Sequence, residues 1–140
     1  MKFSILIILI IFQDLYIWKN GLVVRTKAQI EVLTKKVEIF STNIEKSGSR
    51  SSYLKDMLDL NTELTGYFSA ITDNVNVRDL FDFLTICFYE YEHFFKENRE
   101  QILMKEDERN LLLPLAHDIV FNDIKNILEF ITNNTSNYST

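Results

Sequence analysis

Glycine and proline are scarce in this chain, with three glycines and one proline among 140 residues. Glycine supplies the left-handed backbone of tight turns and proline interrupts hydrogen-bonded elements, so their rarity excludes a Pro/Gly-rich disordered chain and favours long helices. Cysteine occurs once, as Cys87. An intrachain disulfide is therefore excluded, and because small secreted domains more often carry an even set of cysteines, a reducing interior fits better. Positive charge is thin as well: the formal net charge is -5 and no basic run exceeds Lys35-Lys36. Such a chain lacks a surface that neutralises many phosphates, and nucleic acid is not expected as a partner.

Catalytic signatures are also missing. There is no P-loop, no dinucleotide glycine pattern, no G-x-S-x-G and no H-E-x-x-H. With two histidines, a zinc site would have to draw most of its ligands from carboxylates, and Glu90 with His93 has no matching pair elsewhere. Cys87 has Phe83, Leu84, Glu90 and Tyr91 as helix neighbours, which supply neither a base nor positive charge, so it reads as a buried small hydrophobe. No catalytic residue, metal or cofactor is expected, and the chain reads as non-enzymatic.

What is present is apolar and evenly spread: 46% of residues are hydrophobic and 25% charged, enough for one core without metals or disulfide staples. The expectation is a single all-α domain over residues 1–132, followed by a flexible polar tail over 133–140. The N-terminal run Ile5 to Phe12 after Lys2 is too short to span a bilayer, so membrane insertion is not expected. No small-x-small cleavage site follows; Gln13, Asp14 and the bulky Leu15-Tyr16-Ile17-Trp18 come instead. The run is read as a buried first helix from about Phe3 to Trp18, stopped by Asn20-Gly21. A secretory signal or anchor is the alternative, and the sequons at Asn133, Asn134 and Asn137 would then be glycan acceptors.

From Thr26 to about Lys46, the residues Ile30, Leu33, Val37, Phe40 and Ile44 recur at spacings of three and four, one stripe of a helix. Ser47 to Ser52 follows as a loop. Tyr53, Leu54, Met57 and Leu58 open a stretch that continues through Leu64, Phe68 and Ile71, either as one bent helix or as two short ones with a break near Asn61-Thr62 and Gly66. Thr72-Asp73-Asn74 ends it, and Asn76 with Asp79 resembles a capping box. The next helix, about Val77 to Lys96, carries Leu80, Phe81, Phe83, Leu84, Ile86, Cys87, Phe88, Tyr91, Phe94 and Phe95. It is expected to be surrounded by other helices, with the Phe88 ring in the core. Glu97 to about Leu113 has a charged middle that reads as a solvated surface laced with ion pairs. Pro114 follows, with His117 at the start of a closing helix from Asp118 to about Thr132.

The lead into Leu15-Tyr16-Ile17-Trp18-Lys19-Asn20, the aromatic helix with Ile86-Cys87 and Glu92-His93-Phe94, and the closing Asn126-Ile127-Leu128-Glu129-Phe130-Ile131 together resemble the poxvirus Bcl-2-like proteins, over roughly residues 10 to 131. The resemblance implies a Bcl-2-like bundle of about seven helices around a central hydrophobic helix. It also implies residence in the host cytoplasm, with secretion as the alternative. The partners implied are host signalling proteins of NF-κB or interferon-factor activation, or pro-apoptotic BH3 helices held in a groove, along with pairing as a homodimer. The cellular branch carries Asn-Trp-Gly-Arg at the start of its central helix; Asn74-Val75-Asn76-Val77-Arg78 keeps the Arg and lacks Trp and Gly. Arg78 and Trp18 are the candidate protein-binding residues, the first to meet an acidic partner residue and the second as an aromatic anchor.

Overall fold

Apolar side chains recur every three or four residues along most of the chain, and that period decides what forms. The computed structural model describes residues 26–70, 76–101 and 104–136, and among them every regular element is helical. Helix α1 covers residues 26–47, α2 Ser52–Ala70, α3 Val77–Gln101 and α4 Glu106–Asp118. A π-helical segment, Ile119–Ile124, leads directly into α5, Lys125–Ser136. The all-α class is as expected. The proposed N-terminal helix with Trp18, the Asn20-Gly21 turn, the stop at Thr72-Asp73-Asn74 and the Asn137 sequon lie outside the described residues.

The α1 stripe is buried as its spacing requires: Ile30, Leu33, Val37, Phe40 and Ile44 all belong to the core. Hydroxyls that would disturb a helix are absorbed locally, since Thr34, Ser41, Thr42, Thr62, Thr85 and Thr132 each donate to the carbonyl four residues back. The turn into α2 is a serine ladder. Gly48 takes φ +65°, and the hydroxyls of Ser47, Ser49 and Ser51 accept from the N–H two residues on, the last of these capping α2.

α2 is one continuous helix, without the break considered at Asn61-Thr62. Asn61 is buried and hydrogen-bonded, and Gly66 faces open space, so neither residue interrupts the backbone. Asn76 caps α3 as expected, its Oδ1 accepting from the N–H of Arg78 (3.1 Å) and of Asp79 (3.3 Å). α3 runs five residues beyond Lys96, to Gln101. Pro114 ends nothing. It sits inside α4, where it forgoes one backbone hydrogen bond, and His117 falls in the last turn of that helix instead of opening a new one. α4 lacks a side-chain cap, but Glu106, Asp107 and Glu108 place negative charge against its N-terminal dipole. At the other end α5 extends to Ser136, so part of the expected tail is helical.

α3 requires a correction. Its buried stripe is Leu80, Leu84, Cys87, Tyr91, Phe94 and Asn98, spaced by four, three, four, three and four. The opposite side is open: Ile86 and Tyr89 are 60% and 64% exposed. The helix is therefore packed on one face, and Phe88 is only half-buried, edge-on to Phe121. The aromatic rings in the core are Phe40 of α1, set edge-on to Tyr91 (6.3 Å) and Phe94 (5.6 Å), and Tyr53 of α2 stacks on Phe94. Rings of this size bury on the order of 150 to 250 Å² each, which makes them the main apolar seam between α1, α2 and α3.

A directional polar chain passes through that seam. Burial raises the Tyr91 phenol well above its ordinary pKa, so it stays protonated and donates to Asn61 Oδ1. Asn61 Nδ2 donates to Ser41 Oγ at 3.0 Å, and Ser41 donates in turn to the Val37 carbonyl at 3.0 Å. One helix each from three parts of the sequence contributes a link.

A second link joins α1 to the far end of the chain. Lys36 Nζ lies 2.7 Å from Asp118 Oδ2 and 2.9 Å from Asp123 Oδ1. In an uninterrupted α-helix, residues five apart point about 140° away from each other. The π segment starts directly after Asp118 and contains Asp123, and its last turn closes with Lys125 N–H on the Val120 carbonyl five residues back. This wider turn brings both carboxylates to one side. Burial opposes the Lys36 charge, but hydrogen bonds to both aspartates outweigh it and hold its pKa above the ordinary value; the same Lys36 bond holds the Asp118 carboxyl below its own.

Asn61→Leu should cost about 1–3 kcal/mol in chemical denaturation by leaving the Tyr91 hydroxyl buried without a partner, and adding Tyr91→Phe should restore much of that loss. Additive losses in the double variant would contradict the hydrogen-bonded chain. Because the Asp118 pKa is depressed in the folded state, the stability it contributes is present above the ordinary carboxylate range and lost as the pH falls through and below it. Lys36→Met should cost about 1–2 kcal/mol at neutral pH, between the exposed and buried ion-pair ranges, and flatten the acid side of the Tm profile.

Candidate functional site

Chemistry is sought first at the groups able to perform it. Cys87 is buried, and burial foremost, with Glu63 and Glu90 nearby, pushes its thiol up to about 12. At neutral pH it is a protonated thiol enclosed by core residues, unsuited to nucleophilic attack. His93 is exposed on α3 and reaches Glu97 only at 4.0 Å. Among the described residues no group of three His, Cys, Asp or Glu side chains is placed to hold a metal ion. Among them, too, no helix is long and apolar enough to cross a membrane.

The surface offers more. Helical periodicity places Arg78, Asp82, Ile86, Tyr89, His93 and Lys96 along one line of α3, opposite its buried stripe. All six are exposed. Arg78, a candidate from the sequence, stands in the first turn at the head of this line, its backbone N–H held by Asn76. Trp18, the other candidate, lies outside the described residues. The line combines two large apolar side chains with charges of both signs, the makings of an anchor within a polar rim.

A second feature was not foreseen from the sequence. Between the C-terminal part of α3 and α4 lies an open cleft of about 580 Å³ lined by Phe95, Arg99, Glu106, Arg109, Leu113 and His117, among others. Two of its lining rings pack together, His117 lying 5.0 Å from Phe95, and Phe121 braces both, 4.8 Å from His117 and edge-on to Phe95 at 6.1 Å. Arg99 holds its guanidinium 5.8 Å from the Phe95 centroid. Arg109 buries its Nε without a hydrogen-bond partner. The charged run had been expected to form a lattice of ion pairs, yet among the described residues Glu106, Asp107, Glu108 and Arg109 form none. The signal available beforehand was the spacing of four that links Phe95 to Arg99 and His117 to Phe121 on their respective turns.

Comparison with family models, curated proteins and solved structures returned no match to this chain.

The Cys87 thiol should resist alkylation in mildly alkaline buffer while the chain is folded and react stoichiometrically in guanidinium, as followed by intact mass. Rapid labelling of the native protein would contradict the burial described here.

Proposed function

We propose that this chain is a non-enzymatic, Bcl-2-like protein of the poxvirus type, a bundle of about seven helices that acts in the host cytoplasm by binding host proteins. Its action would be to inhibit innate immune signalling, through NF-κB or interferon-factor activation, or apoptosis. The reading rests on the sequence resemblance and on one structural observation, the outward line of α3. Burying a side chain the size of Ile86 or Tyr89 is worth about 1.5–3 kcal/mol, and two such residues left open one turn apart form an anchor for a partner. Arg78 on the same line supplies a cation for an acidic partner residue, the role its type and position suggest in a BH3 complex. A second copy of the chain is a further partner compatible with the same apolar pair.

The secreted or membrane-tethered alternative draws on the Ile5 to Phe12 run and on the sequons, of which Asn133 is exposed on α5. Expression in animal cells separates the two. A mass shift removed by glycosidase, or protein in the medium, would favour secretion.

In reporter assays of NF-κB and interferon-factor activation, the wild type should repress signalling, and Ile86→Asp with Tyr89→Asp should abolish repression. Stability should change by no more than about 0.5 kcal/mol per site, because neither residue is in the core. Repression unchanged in that stable variant would defeat the α3 assignment. For the apoptotic branch, BH3 peptides should bind in titration calorimetry and lose affinity with Arg78→Ala; no binding by the wild type would end that branch.

A further inference from the structure

Lys36 is neutralised in place by two aspartates and Lys96 by Glu92. The α3/α4 cleft brings together two cations that are not. Arg99 and Arg109 line it together, neither has a carboxylate partner among the described residues, and Glu106 is the single carboxylate beside them. Both arginines are pre-positioned. Arg99 rests on the Phe95 ring, and Arg109 lines the same cleft from α4. Guanidinium groups offer forked donors that match carboxylates in bidentate geometry. The aromatic lining of Phe95 and His117, with Leu113 at its side, suits an apolar side chain next to such a carboxylate.

We infer that the α3/α4 cleft is a docking site for an acidic peptide segment of a partner protein, in which carboxylates engage Arg99 and Arg109 while a neighbouring aliphatic or aromatic residue covers Phe95 and His117. The site is separate from the outward line of α3 and does not depend on that line's role. Charge complementarity selects the occupant: the lining holds two arginines without carboxylate partners against one carboxylate, Glu106, a balance that favours an acidic segment over a basic one. The shallow, open shape suits an extended segment lying across the cleft more than an enclosed small molecule.

The test uses the full chain and three fluorescein-labelled probes read by anisotropy: a peptide alternating glutamate with leucine, its counterpart with lysine in place of glutamate, and a single-stranded RNA oligonucleotide of similar length. The acidic peptide should bind, and its affinity should fall at least about tenfold between 50 mM and 300 mM salt and at least about tenfold in Arg99→Glu. Arg99 is exposed, so this variant should keep its fold. Arg109→Gln, checked by circular dichroism, should weaken binding in the same direction, and Ile86→Asp should leave it unchanged. No binding of the acidic peptide, equal binding of the lysine peptide, preferential binding of the RNA, or affinity indifferent to Arg99→Glu would each overturn the proposal.

Discussion

A buried phenol that must find an acceptor governs how the first three described helices fit together. Apolar contact between Phe40, Tyr91 and Phe94 is strong but non-directional, and α1 could slide along α3 by a turn with little change in area covered. The chain from Tyr91 through Asn61 and Ser41 to the Val37 carbonyl removes that freedom, because each donor meets an acceptor at one axial register only. The cost of leaving any link unmet inside the core is what turns a hydrophobic seam into a specific one.

The same economy explains the C-terminal half. Lys36 reaches across from α1 to Asp118, which precedes the π segment, and to Asp123 within it, so the irregular turn has a structural role. It ties the two ends of the described chain together. Among the cations left without a carboxylate, Arg99 lies over a ring that is itself half-buried. Folding leaves Ile86 and Tyr89 exposed on the outward line of α3 and an open cleft between α3 and α4.

Much of the architecture was legible in residue order. The α1 stripe, the serine loop, the Asn76 cap and the buried Cys87 each followed from local rules of spacing or hydrogen bonding, which need no knowledge of distant residues. The misreadings share a cause. The Asn61-Thr62 and Gly66 positions leave one bent helix and two short ones both open, and tertiary partners decide between them by making Asn61 a core residue of a continuous helix. Pro114 was read as a terminus because it lacks an N–H, yet a helix with enough packing on Leu112 and Ala116 accommodates that loss. The abundance of aromatics on α3 concealed which of them face inward.

Residue order by itself determined that the described residues are helical, where α2 and α3 begin, and which stripe of α1 and of α5 is apolar, since those properties are set within a few residues by backbone sterics and a 3.6-residue period. Tertiary structure alone decided which face of α3 remains open, that Lys36 meets Asp118 and Asp123, and that Arg99, Arg109 and His117 line one cleft. Each of these depends on side chains from separate helices arriving at the same point, a condition that no local pattern encodes.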